Sequence, residues 1–414
     1  KNNFRKNLIS INVKERVKKI KRIQKWITKN ENLIINTSLQ DYKKPIPEFY
    51  TTEFKPVLNH IKITLKNIKK WSSSKSVRNP IHLLGTRSKI YYEPKGTCLI
   101  ISPWNYPFSL TLNPVISAIS AGNCIIVKPS ELTPNMSSLI STMLSSIFEE
   151  NEVKVVEGGK DVGEYLINLK FDHIYFTGSP KIGSIVMQAA AKNLSSITLE
   201  LGGANHTIVD ETANIQDAAE KILWTKYLNC GQTCIAVNHV FVHSKNYDIF
   251  LSKLVMVLEK FFSNNSDYGD IVNKQHIDRL KNILKITLNH SGQFVIDSNS
   301  VSKIKKEFPI TILKDLSVEN PILKNEIFGP ILPILVYNDL NSVLDFIRKG
   351  EKPLALYLFS KSTTNIKKFL NLTSSGGVAI NECMLQYANP YLPFGGVNNS
   401  GMGKSGGKQG FLSF

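Results

Sequence analysis

From the start of the chain to about Ser74, apolar residues recur at helical spacing between charged ones. The densest basic stretch, 14–29, keeps Ile and Val at that spacing and predicts an amphipathic surface helix. Ser72-Ser73-Ser74 and Arg78-Asn79-Pro80 then break the pattern. A strand is predicted over 88–93, through Lys89-Ile90-Tyr91-Tyr92, ending at Pro94 and Gly96. Beyond it the pattern alternates. Short apolar runs at 98–101, 124–127, 153–156, 173–176 and 197–201 predict strands. The stretches 108–121, 134–148, 161–169 and 181–192 between them predict helices. Strands that are apolar throughout, separated by helices, imply a parallel sheet covered on both faces.

After Gly202-Gly203 the alternation restarts, with strand 207–209, helix 215–226, strand 238–242 and helix 246–262. A second α/β domain therefore starts near Gly202. The stretch 264–306 is polar and weakly patterned and yields no elements. Glycines crowd the C-terminal part at 395, 396, 401, 403, 406, 407 and 410, but Leu392-Pro393-Phe394 and Met402 stand among them. An ordered loop packed near a site is expected there, not a flexible tail. In sheets of this kind ligands bind beyond the carboxyl ends of the strands.

The length of 414 residues exceeds the about 250–300 residues that one core usually holds, which agrees with two or more domains. A net charge of +18 raises the question of nucleic acid. Lys, Asn, Ile and Ser are abundant almost everywhere, however, and no zinc-finger or RNA-binding signature accompanies the basic helix, so no nucleic-acid partner is expected. The five cysteines are odd in number and far apart, unlike a secreted disulfide framework. Cys98 and Cys124 lie in apolar runs and are expected to be inert core residues. No apolar run reaches the about 20 residues of a spanning helix, and no signal-peptide pattern opens the chain. A reducing cytoplasm and no membrane anchor are expected. The chain opens on Lys1 instead of Met, which leaves room for further residues.

Six segments carry candidate chemistry. In Asn229-Cys230-Gly231-Gln232-Thr233-Cys234, a metal site would need further Cys or His ligands that do not stand at suitable spacing. A nucleophilic Cys234 at a loop-to-helix junction suits the segment better than a metal, with backbone N–H groups and a helix N-terminus favouring thiolate, while spacing alone equally allows a buried structural cysteine. In Thr198-Leu199-Glu200-Leu201-Gly202-Gly203, a carboxylate interrupts an apolar strand at its C-terminal edge. Partial burial would raise the Glu200 pKa toward neutrality and make it a usable general base. Phe176-Thr177-Gly178-Ser179-Pro180-Lys181-Ile182-Gly183 is a strand, glycine turn and helix, the geometry that presents N–H groups to a pyrophosphate. In Val127-Lys128-Pro129-Ser130-Glu131, Lys128 and Glu131 could both reach ribose hydroxyls. Ser102-Pro103-Trp104-Asn105-Tyr106-Pro107 fixes Asn105 between two prolines, as an oxyanion donor would require. Asn325-Glu326-Ile327-Phe328-Gly329-Pro330 holds an acidic and an aromatic residue in a loop.

Taken in order, from about Tyr92 to the C-terminus, these motifs resemble the aldehyde dehydrogenase superfamily. The segments 92–108, 229–236 and 392–403 are most similar to its class 3 branch, the fatty and medium-chain aldehyde dehydrogenases, usually homodimers. The resemblance implies a Rossmann-like cofactor domain (1–82 and 97–201), an α/β catalytic domain (202–384) and a small β oligomerisation flap with bridging segments (83–96 and 385–414). It implies Cys234 as nucleophile, Glu200 as general base and Asn105 as oxyanion-hole amide. Cofactor contacts are implied for Lys128, Glu131, Gly178, Ser179, Gly183 and Glu326, for the aromatic Phe328 and Phe394, and for Trp104 and Leu201 beside them. The implied reaction is oxidation of a medium or long aliphatic, or aromatic, aldehyde to its acid through a thioester that water hydrolyses. NAD is the expected cofactor, with NADP possible, since a carboxylate at Glu131 repels a 2′-phosphate.

The sequence departs from the family pattern in three places. Ala204-Asn205-His206 replaces a Lys-Ser-Pro-like run, Val237-Asn238 stands where class 3 members often carry a proline, and Asn398 replaces a common glycine. A left-handed backbone at Asn398 would be strained, though less than for most residues. Two other readings stay open: a CoA-acylating or other acyl-transferring dehydrogenase on the same fold, and a non-catalytic binding protein. Retention of Glu200 argues against the first, and retention of Cys234, Glu200 and Asn105 together argues against the second.

Overall fold

The computed structural model describes residues 12–261, 268–296 and 306–414. The basic stretch forms α1 (Val13–Lys29), which Asn12 caps by accepting a hydrogen bond from the Lys14 N–H at 2.9 Å. Its buried stripe is Ile20, Ile23 and Ile27. Helices α2 (Glu31–Tyr42) and α3 (Lys55–Ser72) follow, joined through short helical turns. The segment after α3, which the pattern marks only as a break, contains β1 (Lys75–Val77). It pairs antiparallel with β2 (Ser88–Ile90) in a largely exposed ribbon. That second strand is shorter than the 88–93 expected.

The first alternation runs through β3 (Thr97–Ile101), α4 (Ser109–Ala121), β4 (Cys124–Lys128), α5 (Pro134–Ile147) and β5 (Val153–Val155). It continues through α6 (Lys160–Ile167), β6 (His173–Thr177), α7 (Pro180–Ala191) and β7 (Ser196–Glu200). The second comprises β8 (His206–Val209), α8 (Ile215–Tyr227), β9 (His239–His243), α9 (Tyr247–Phe261), α10 (Lys274–His290) and β10 (Gln293–Ile296). Then come β11 (Thr311–Lys314), β12 (Ile331–Tyr337), α11 (Leu340–Lys349), β13 (Ala355–Phe359), α12 (Thr363–Leu372) and β14 (Gly377–Ile380). The short β15 (Gly401–Met402) and α13 (Gly407–Ser413) close the chain.

Two sheets result. One is ordered β15-β7-β6-β3-β4-β5 and is parallel except for β15. The other is ordered β10-β11-β12-β9-β8-β13-β14 and is parallel except for β10. Every residue of β8, β9 and β13 is buried, as strands covered on both faces require. The α/β class with two parallel sheets, expected from the alternation, is thus what the chain adopts. Cys98 and Cys124 are buried in β3 and β4, and burial pushes both thiols up, Cys124 to about 12.

Between 264 and 306, where the pattern yields nothing, the described residues form α10 and β10. Only Ile277, Leu280 and Thr287 of α10 are buried, too thin a stripe to show against its many charges. Residues 264–267 and 297–305 of that stretch, residue 262 of the expected helix, and residues 1–11 lie outside the described residues. The glycine-rich C-terminal part is ordered, and β15 lies along β7 with Gly401 opposite Glu200. Among the described residues no helix is long and apolar enough to cross a membrane.

Candidate active site

The chain leaves α8 through a tight turn in which Asn229, Cys230 and Gly231 all take left-handed backbone, with φ of 52°, 55° and 71°. It then passes Cys234 in a second turn, closed by the Ala236 N–H on the Thr233 carbonyl at 3.0 Å, and enters β9. No helix begins at Cys234, so the expected loop-to-helix junction is corrected: the run of left-handed residues redirects the chain into a strand. The thiol therefore has no helix dipole to favour its ionised form. Burial, followed by the negative charges of Glu326 and Glu200, pushes the Cys234 pKa up, and the N–H groups of Cys234 and Ile235 only partly oppose this.

What holds this turn is one of the departures noted above. The Asn205 amide donates to the Cys234 carbonyl at 2.7 Å and to the Ala236 carbonyl at 2.9 Å, and its oxygen accepts from the Ala355 N–H at 2.8 Å. Next to it, His206 Nδ1 and His239 Nε2 share a hydrogen bond of 2.7 Å. Asn238 braces another part of the site: it donates to the Asn325 carbonyl at 3.0 Å and accepts from the Ile327 N–H at 2.8 Å, so it grips both neighbours of Glu326. Asn398 has the left-handed φ of 56° that the glycine replacement foreshadowed.

Glu200 ends β7 and is buried. Burial raises its pKa to about 8, with Ser405 and Lys404 pulling it part of the way back. Neither carboxylate oxygen has a hydrogen-bond partner among the described residues. Glu200 and Cys234 line one narrow cavity of about 80 Å³, with Leu354, Tyr387, Leu392 and Phe394 among its other walls. Tyr387 and Phe394 pack edge to face, ring centroids 4.9 Å apart.

Asn105 lies in the loop between β3 and α4, and its side-chain amide donates to the Gln232 carbonyl at 3.0 Å. One residue on, the Tyr106 hydroxyl meets Thr233 Oγ1 at 2.6 Å. The Asn105 loop is thereby stitched to the two residues preceding Cys234. One amide proton of Asn105 is used in this contact, and the amide carries two.

The expected cofactor residues fall in three groups. Ser179 caps α7, its Oγ accepting from the Ile182 N–H at 3.4 Å, directly after the Gly178 turn. Gly183 faces Leu201 so closely that a Cβ there would come within 2.7 Å of it, so the glycine brings helix and strand together. Lys128, at the end of β4, is buried and pairs with Glu131 at 2.7 Å. Glu326 lies against Gly202, where a Cβ would meet its carboxylate at 2.1 Å. Its Oε1 has no partner among the described residues. Burial raises the Glu326 pKa to about 8 against the pull of Arg279, the Gly203 N–H and Lys226. Phe328 packs edge-on to Trp104 at 5.3 Å, in a different cluster from Phe394. Asn205, Asn238, Gln232 and Tyr387 were not singled out from the sequence as site residues. For Asn205 and Asn238 the departure from the family pattern was the available signal.

Two parallel α/β sheets, a capped helix N-terminus after a glycine turn, and a half-buried cysteine sharing a cavity with a buried carboxylate are the features of a nucleotide-dependent oxidoreductase fold. Comparison with known proteins narrows the class. The chain matches the aldehyde dehydrogenase family over residues 2–414, and it belongs to that family. It is 42% identical over 403 residues to the 4,4'-diaponeurosporen-aldehyde dehydrogenase of Staphylococcus aureus, covering 96% of this chain and 87% of that one. It is 36% identical over 403 residues to the dimeric NADP-preferring aldehyde dehydrogenase of Rattus norvegicus, covering 96% and 88%. The substrate-bound structure of Staphylococcus aureus AldH superimposes with a TM-score of 0.91 at 41% identity, covering 97% of this chain and 88% of the other.

Proposed function

We propose that the chain oxidises an aldehyde to the carboxylic acid with NAD or NADP, using Cys234 as nucleophile and hydrolysing the resulting thioester. The observation that carries this reading is the shared cavity of Cys234 and Glu200. A thiol with a raised pKa needs a base, and the buried carboxylate that lines the same cavity, with a pKa of about 8, can accept that proton once it is ionised. The sulfur then attacks the aldehyde carbon, and the Asn105 amide and the Cys234 N–H steady the oxyanion, each such donor being worth about 3–4 kcal/mol. Once Glu200 has released that proton to solvent, the same carboxylate takes a proton from the water that hydrolyses the acyl group on sulfur, and the thiolate leaves.

The residues present fit a dinucleotide. The α7 N-terminus offers N–H groups to a pyrophosphate, Lys128 and Glu131 stand where ribose hydroxyls would be held, and the unpartnered Glu326 oxygen can accept from the second ribose. When bound, the nicotinamide supplies the acceptor for the aldehyde hydrogen. Residues 1–82 and 97–201 would then bind the cofactor and 202–384 carry the catalytic cysteine. Glu131 favours NAD, while its pairing with Lys128 offsets part of the repulsion toward NADP. The apolar wall of Leu354, Leu392 and Phe394 suits an aliphatic or aromatic aldehyde.

The test is reduced-cofactor formation at 340 nm with aliphatic and aromatic aldehydes, without CoA, for wild type and Cys234→Ala. Turnover that disappears in the variant supports the reading. Turnover that requires CoA, or that survives the substitution, sinks it.

A further inference from the structure

Against the backbone of Asn105 lies a buried ion pair. Lys44 Nζ and Glu53 Oε1 stand 2.6 Å apart, with side-chain exposures of 2% and 1%. Each partner has a second attachment. Lys44 Nζ also donates to the backbone carbonyl of Asn105 at 3.0 Å, and it sits 4.0 Å from the ring centroid of Tyr106. The other oxygen of Glu53 accepts from the N–H groups of Phe108 and Ser109, at 2.9 and 3.3 Å. One ion pair thus grips the loop at Asn105 itself and at its C-terminal end, where α4 begins. The Asn105 carbonyl accepts two further hydrogen bonds, from the Tyr42 hydroxyl at 2.6 Å and the Asn229 amide at 2.8 Å.

A buried ion pair is a poor device for stability, because an apolar pair of similar volume often serves as well or better. Its worth lies in direction, since every donor and acceptor has one place to go. Here the directions converge on the backbone of the residue whose side chain reaches toward the nucleophile's loop. We propose that Lys44 and Glu53 are positioning residues: together they set where the Asn105 amide stands relative to Cys234, and so how well it meets the oxyanion. This rests on the oxyanion role of Asn105 proposed above.

The experiment is a double-mutant cycle on the full chain with Lys44→Met, Asn105→Ala and their combination. It measures kcat, aldehyde KM, reduced-cofactor affinity by fluorescence and the thermal midpoint. Lys44→Met is expected to lower kcat by about 10-fold or more, as small displacements of an aligned group do, while cofactor affinity stays within about twofold of wild type. In the Asn105→Ala background the same substitution is expected to cost less than about twofold further. Wild-type kcat in Lys44→Met, or an equal loss in both backgrounds, overturns the proposal. Wild-type kcat in Asn105→Ala alone sinks the oxyanion reading, and the positioning role with it. If the unpaired Glu53 prevents Lys44→Met from folding, Lys44→Met/Glu53→Gln leaves no buried charge behind, and the same outcomes decide.

Discussion

At the scale of single residues, the site is governed by what burial does to charge. Glu200 is protonated below about pH 8 and then cannot accept a proton. As the proposed base, it would lose its function as pH falls and gain it as pH rises. Steady-state kcat is therefore expected to climb with pH and level off above about 8. Glu200→Gln should abolish that dependence and lower kcat by about 100-fold or more, while a single-turnover assay still shows some reduced cofactor. A flat wild-type pH profile would remove Glu200 as the base. This residue was legible in the sequence because a carboxylate breaks an otherwise apolar strand before two glycines. Lys44 was not, since Lys43 stands beside it in a chain with 51 Lys and Arg residues, and only the fold buries one and exposes the other. The setting of Cys234 was misread for a related reason: the left-handed run before it depends on tertiary contacts, and neither Asn229 nor Cys230 requires such a backbone.

At the scale of elements, close approach replaces contact chemistry. The strand end at Glu200-Leu201-Gly202 touches α7 through Gly183 and the Glu326 loop through Gly202. Gly202→Ala would place a methyl group inside the space of the Glu326 carboxylate. The expected result is a weakening of cofactor binding by about 10-fold or more, read by fluorescence titration, since about 1.4 kcal/mol suffices for tenfold. Unchanged affinity would mean that Glu326 does not bind the cofactor. The parallel strands up to β9 were legible because they are largely apolar, while β11, β12, β13 and β14 drew no expectation. Of the edge strands β5 was legible but β1, β10 and β15 were not: they are short, and edge strands carry less hydrophobic signal than strands packed on both sides.

At the scale of the molecule, the exposed ribbon of β1 and β2 stands out. Ile81 and Leu84, in the connection between its strands, are 87% and 86% exposed, with Val77, Ile90 and Tyr91 nearby. Apolar residues grouped this way mark an interaction surface, and we propose that it pairs two copies of the chain. Sedimentation of the full chain at micromolar concentration should return a dimer, and Leu84→Lys with Ile81→Lys should return a monomer. A wild-type monomer would contradict the pairing. The charge of +18 was legible from composition, yet it points to no site, because the residues proposed to act are buried carboxylates, an amide, a cysteine and one buried lysine–glutamate pair.

The antiparallel contact of Gly401 and Met402 with β7 spans half the chain. Until those residues have left the ribosome, β7 is an uncapped sheet margin, with unpaired amide and carbonyl groups open to any other strand. This sheet can assemble early from local alternation, but the strand that carries Glu200 waits for a partner segment about half the chain further along. A chain stalled before 401 would therefore leave that margin open to other strands.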